Sequence, residues 1–140
     1  MGYTHYFKHP KPFTTEQWVK IAAATSIIMA RTNILFGWDG TGNPEITDSL
    51  ISFNGDSINC EENETFELTK TAKSFAFCKT ASKAYDCYVV AVLCIANHYA
   101  PNIIELTSDG DAADWEAGLA IAQSVVPECT NPLALDESIT

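Results

Sequence analysis

Apolar positions recur along this chain with two different periods, and the switches between them mark its elements. In "FTTEQWVKIAAATSIIMART", Trp18, Ile21, Ala22, Thr25, Ile28 and Met29 return at helical spacing and form one core-facing stripe. Thr14 before the stripe, with Gln17 three residues on, is a capping-box pattern, and Phe13 and Trp18 are placed to form a hydrophobic staple. "GWDGTGNPE" (37–45) is rich in breakers and reads as a loop. The period then shortens to two. "SLISFNGDSI" reads as a hairpin turning at Asn54-Gly55, with positive φ angles in the turn. "ETFELTK" alternates with Phe66 and Leu68 on one face. "SFAFCKT" alternates with Phe75 and Phe77 on one face, expected to anchor inside.

Helical spacing returns near Tyr85 and continues to Tyr99, with Pro101 closing the segment. This helix is apolar nearly all round and is expected to lie at the centre of the core. "NIIELTS" (102–108) reads as a further strand. "DGDAADWEAGLAIAQSVV" reads as a third helix, with Asp109 or Asp111 near its cap and Trp115, Leu119, Ala122 and Val126 on one face. The order points to an α+β fold: one domain over 1–127, with a mainly antiparallel sheet of about five strands packed with three helices. Residues 128–140 read as a loosely packed tail.

Composition adds a constraint on partners. The chain has 140 residues, with 8 basic against 18 acidic side chains and a formal net charge of −10. Such a surface repels duplex nucleic acid and anionic membrane. It leaves a basic partner open. A DNA-mimicking role would need acidic runs on a helix face, and here the acids are scattered. "MGYTHYFKHPKPF" lacks the apolar segment of a signal peptide, and the longest apolar run, "CYVVAVLCIA" (87–96), is too short to span a bilayer, so a cytoplasmic setting is expected. Cys60, Cys78, Cys87, Cys94 and Cys129 show no C-x-x-C or zinc spacing and read as free thiols, and no metal or cofactor is expected.

Against this acidic background, Lys70, Lys73, Lys79 and Lys83 crowd one short segment around "FAFCKTASKAYD" (75–86). A strand leaving through "TASK" into a helix would set free N–H groups, the Thr80 and Ser82 hydroxyls and two ammonium groups around a small anion. Tyr85 is placed to stack on a base or close the pocket, and Asp86 to cap the helix or pair with Lys83. The alternative is that the lysines are solvated edge residues. A second candidate is "GYTHYF", an aromatic edge strand in which Tyr3 and Tyr6 would stack on a planar ligand and His5 would contact phosphate or exchange a proton. The alternative there is an arm packed on the core, with His5 at the surface. Asp109, Asp111, Asp114 and Glu116 suit a helix dipole; an EF-hand loop from Asp109 fails at positions six and twelve. No P-loop, G-x-S-x-G, H-E-x-x-H or dinucleotide fingerprint occurs. Cys78 beside Lys79 is a candidate for a lowered thiol pKa. His98 is placed to cap the last turn of its helix.

"MGYTHYF", "FAFCKTASKAYD" and "ELTSDGDAADWE" together resemble a family of short uncharacterised proteins of bacteriophages and some bacteria. Its members begin M-G-Y-T-H-Y, carry F-x-F-C-K-T-x-x-K-x-Y-D, and end with S-D-G followed by D-W. The resemblance implies a setting in the infected host's cytoplasm and a role in binding or sequestering host factors, and it brings no catalytic residues. Three functions follow as expectations. The first is a binding protein, a possible homo-oligomer, that holds a nucleotide-like anion and sequesters a nucleotide-derived immune signal. The second is an enzyme acting on a nucleotide or related phosphate, with His5 and Asp86 or Cys78 in acid, base or nucleophile roles. The third is an acidic inhibitor of a basic host protein.

Overall fold

A computed structural model describes residues 3–134. The elements run β1 (Thr4–His9), α1 (Thr15–Ala30), β2 (Glu45–Ile46), β3 (Leu50–Phe53), β4 (Phe66–Thr69), β5 (Lys73–Lys79), α2 (Asp86–Tyr99), β6 (Glu105–Ser108) and α3 (Glu116–Gln123). The fold is α+β, with six strands rather than five. They form two antiparallel three-stranded sheets, ordered β5-β1-β6 and β2-β3-β4.

The helices follow their local signals. The Thr14 side chain accepts from the Gln17 N–H at 3.1 Å, and the Gln17 side chain accepts from the Thr14 N–H at 2.9 Å, so two otherwise orphaned donors are satisfied reciprocally. Phe13 and Trp18 pack with ring centroids 6.0 Å apart, both buried. The buried stripe of α1 is Trp18, Ile21, Ala24, Thr25 and Ile28, while Ala22 and Met29 flank it half-buried. In α2 every residue from Val89 to Ala96 is buried, and the helix packs against α1 and α3. Burial of a side chain such as Leu93 or Ile95 contributes about 1.5–3 kcal/mol, so this helix is the main apolar anchor of the fold. The third helical segment opens as a 3₁₀ turn over Ala113–Trp115, and Asp111 accepts the Asp114 N–H at 3.0 Å. Trp115, Leu119, Ala122 and Val126 are buried as one face.

The strands depart from the sequence reading in four places. Asn54-Gly55 is not a hairpin turn, and neither residue takes a positive φ. The Asn54 side chain is instead a buried knot, donating to the Asn63 carbonyl at 2.8 Å and accepting from the Gly55 N–H at 2.7 Å and the Asn63 N–H at 3.1 Å. β3 therefore pairs with β4, and residues 54–65 form the irregular link between them. β1 is the centre of its sheet, not an edge, because β5 and β6 pair on its two sides. Only Glu105–Ser108 of "NIIELTS" is extended, since Ile103 and Ile104 both close turns onto the Ala100 carbonyl at the end of α2. Phe75 and Phe77 face outward, 61% and 48% exposed, while Cys78 between Phe77 and Lys79 is buried. Of the expected tail, residues 128–134 are described: Cys129 and Asn131 are buried, and the Asn131 amide donates to the Ala112 carbonyl at 2.8 Å and to Glu116 at 2.9 Å. The rest of that segment lies outside the described residues.

Candidate functional site

The junction between β5 and α2 forms as a strand, a turn and a helix start. Two successive residues in the turn, Ala81 and Ser82, take left-handed φ angles of 53° and 59°. Non-glycine residues rarely adopt that region, and surrounding bonds must hold them there. Here the Thr80 and Ala81 N–H groups donate to the Tyr3 carbonyl at 3.0 and 3.3 Å. This tethering turns the junction inward. Thr80 is fully buried, and its hydroxyl donates to Asp86 Oδ1 at 2.5 Å. Tyr85 is fully buried as well, and its hydroxyl donates to the Glu64 carbonyl at 2.5 Å. Neither residue faces a ligand, contrary to the expectation from sequence.

The lysines disperse. Lys70 Nζ donates to the Thr15 hydroxyl at 2.8 Å. Lys83 Nζ donates to the Cys60 carbonyl at 3.0 Å, in a hollow shared with Glu62 and Glu64. Asp86 does not pair with Lys83 but with His5. Lys73 and Lys79 sit at opposite ends of β5, about 20 Å apart along the strand. With the Asp86 carboxylate in the first turn of α2, the helix start carries negative charge of its own and is a poor anion site.

What the junction builds is a buried polar chain. His5 is fully buried; its Nδ1 lies 2.7 Å from Ser108 Oγ and its Nε2 lies 2.7 Å from Asp86 Oδ1. Ser108 Oγ accepts from the Gly110 N–H at 2.9 Å and from Trp115 Nε1–H at 3.3 Å. Both ring nitrogens are thus engaged, Nδ1 by the serine hydroxyl and Nε2 by Asp86 Oδ1, which also accepts from Thr80. The ring is further boxed edge-on by Tyr3 at 5.1 Å and Trp115 at 5.3 Å. The order Ser108–His5–Asp86 resembles a nucleophile, base and orienting acid. Its oxygen nucleophile, however, is covered by two N–H donors and its base is sealed from solvent. The arrangement works as a clasp that joins β1, β6 and α2. His5 and Asp86 were singled out in sequence and are brought together; Ser108 was not, and no local signal marks it.

Three of the thiols are poor nucleophiles because burial disfavours their charged form. Burial, reinforced by Glu64, pushes Cys78 up to about 12, the reverse of the lowering expected from Lys79 alongside. Burial likewise pushes Cys94 up to about 12 and Cys129 up to about 11. Among the described residues no group of three or more His, Cys, Asp or Glu side chains gathers to hold a metal ion.

A different surface collects the chemistry. Along β5, Phe75, Phe77 and Lys79 stand exposed on the outer face of the sheet, and a register shift sets Lys73, also exposed, opposite the inward-facing His9. The register sets Tyr6 opposite Phe77 on one side and Thr107 on the other, and Lys8 opposite Glu105. Phe75 and Phe77 pack with centroids 5.5 Å apart at 44°. Between Tyr6, Phe75, Lys8 and Thr107 lies an open hollow of about 370 Å³. Beyond the phenylalanines a smaller one of about 180 Å³ is bordered by Lys73 and Glu67. Three of the chain's few cations, Lys8, Lys73 and Lys79, thus frame three aromatic rings. Lys8 is partly engaged by Glu105 at 3.8 Å. Tyr6 and Lys79 belong to this face, whereas Tyr3, His5, Thr80, Tyr85 and Asp86 belong to the clasp and its surroundings, and Lys83 to the acidic hollow. Phe75, Phe77 and Lys8 were missed as site residues, although the shared parity of Phe75, Phe77 and Lys79 in "KSFAFCK" was the signal that this face meets water.

Set against known proteins, the chain matches no family model, no curated protein and no solved structure.

Proposed function

We propose that the protein is a binding module that holds a nucleotide-like anionic small molecule on the outer face of the β5-β1-β6 sheet. The observation that carries this reading is the exposure of Phe75 and Phe77 beside Tyr6, framed by Lys73, Lys79 and Lys8. Exposed rings on a sheet give a planar base a stacking partner worth about 1–3 kcal/mol each. The lysines supply the counter-charge for phosphate. The net charge of −10 sets the size limit: a small anion reaches a local cationic patch, while a long polyanion meets repulsion beyond it. In the phage setting that the sequence motifs imply, such a module sequesters a nucleotide-derived signal. Catalysis does not fit as well, because in the Ser108–His5–Asp86 order the base is fully buried and the serine oxygen is engaged by two N–H donors.

The test is isothermal titration of the full chain with a panel of mononucleotides and dinucleotides. The Phe75→Ser/Phe77→Ser double variant is expected to lose at least tenfold in affinity. Lys79→Ala should lose several-fold and Lys83→Ala nothing. The ligand should be recovered intact after denaturation. Silence across the whole panel, or equal affinity in the double variant, would overturn the assignment. Recovery of a chemically altered ligand would replace it with an enzyme.

A further inference from the structure

The remaining exposed large apolar side chains include a second pair, Trp38 at 71% and Ile58 at 82%. They stand on two loops that are bonded to one another. The Ser57 N–H and hydroxyl both donate to the Gly40 carbonyl at 3.0 Å. The Trp38 carbonyl accepts from the Asn54 amide at 3.3 Å and from the Thr65 hydroxyl at 2.5 Å. Gly40, at φ 82°, lies so close to the second loop that a β-carbon on it would meet Ser57 Cβ at 2.6 Å. The backbone under Trp38 is therefore fixed while its indole projects into water. An exposed tryptophan on a held backbone needs no loop ordering on binding, which suits an interface anchor.

The charge around the pair is of one sign. Between Arg31 and Lys70 the chain carries eight acidic residues and no lysine or arginine. Asp39, next to Trp38, accepts the Thr41 N–H and hydroxyl at 3.0 and 2.8 Å, and these bonds hold its carboxyl below the usual range. Asp56 accepts the Ile58 N–H at 3.0 Å. Lys83 reaches this region at the Cys60 carbonyl, where Glu62 and Glu64 share its hollow and Glu61 accepts the Ala84 N–H.

From this pairing of a held apolar tip with an acidic surround we propose that the Trp38–Ile58 loops form a second docking surface, whose partner is a basic polypeptide segment that offers an apolar recess. The charge excludes nucleic acid and anionic membrane. It also disfavours a second copy of this chain, because a two-fold contact would set acid against acid. The Thr65 hydroxyl that donates to the Trp38 carbonyl also borders the hollow beside Phe75 and Phe77, so the two surfaces adjoin, and variants at Trp38 and at Phe75/Phe77 tell them apart.

The experiment is selection of a random displayed peptide library on the full chain, with binders then synthesised. Recovered peptides are expected to carry net positive charge with at least one large apolar residue. Their affinity should fall with added salt. Trp38→Ala should weaken them at least tenfold and Ile58→Ser several-fold, and the Phe75→Ser/Phe77→Ser variant should bind as wild type. Trp18 and Trp115 are buried, so a shift of tryptophan emission on binding reports Trp38. Peptides without positive charge, or binding indifferent to Trp38→Ala, would overturn the proposal. So would Trp38-dependent adsorption to phosphatidylcholine vesicles, which would make the tip a lipid contact.

Discussion

His5 Nε2 stands 2.7 Å from Asp86 Oδ1, so the central strand of one sheet is tied by a side chain to the first turn of the central helix. The ring is fully buried and the carboxylate half-buried, at 17% exposure. Removing the acceptor strands the imidazole N–H and the Thr80 hydroxyl together. Asp86→Ala is expected to lower the unfolding free energy by about 3 kcal/mol. Thr80→Val removes one donor from an acceptor that keeps the other, and should cost about 1 kcal/mol. Urea unfolding of both variants checks the order. An Asp86→Ala protein as stable as the Thr80→Val protein would mean that the clasp does not hold the fold.

A second histidine gives the stability a pH dependence of defined sign. His9 is buried, stacked on Phe13 at 4.3 Å, with Nδ1–H donating to the Lys11 carbonyl at 3.0 Å and Nε2 without a hydrogen-bond partner among the described residues. Burial lowers its pKa, nearby Lys73 adds to that, and the Lys11 carbonyl opposes it. The unfolded chain takes up this proton near the ordinary value of about 6.5, and the folded chain only below it. The contribution of His9 is therefore complete above that pH and is lost as pH falls through the folded value. His9→Phe keeps the stack and removes the titration. Unfolding free energies measured in parallel at about pH 7.5, 6.5 and 5.5 should show wild type losing ground to His9→Phe on acidification. Parallel curves would refute it.

The contact between α2 and α3 depends on a missing side chain. A β-carbon on Gly118 would lie 2.4 Å from Val90 Cγ1 and 2.8 Å from the Cys87 carbonyl oxygen. Gly118→Ala is expected to destabilise by about 1–3 kcal/mol through overpacking. Adding Val90→Ala should recover only part of the loss, because the Val90 β-carbon at 2.5 Å and the Cys87 carbonyl oxygen at 2.8 Å both remain. A thermal melt of the two variants decides it; full recovery in the double variant would place the whole clash on the Val90 methyl groups.

How much of this was legible in sequence depended on the range of the signal. The cap at Thr14 and the face of α1 were legible because both are written within one helix. The burial of α2 was legible because no other site accepts eight apolar residues in a row. Asn54-Gly55 misled because a turn dipeptide says what the backbone can do, whereas here the Asn54 amide was taken by Asn63 and Trp38. Phe75 and Phe77 misled because aromatic residues were read as core, although Lys79 on the same strand face argued otherwise. His5 and Ser108 were beyond reach, since they meet across 103 residues.

That separation also governs how the protein is made. β1 needs two partners to become the middle of a sheet, and both are distant: Thr4 pairs with Lys79, and His5 with Ser108. A growing chain delivers β1 first and β6 last, so the strand waits through most of synthesis with its hydrogen bonds unmade. Closing such loops is slow, and sheets built this way assemble on the millisecond-to-second scale. Until β6 arrives, β1 can pair with β5 alone and keeps one edge open, and the interval before closure is when this chain is most exposed to aggregation and to proteolysis.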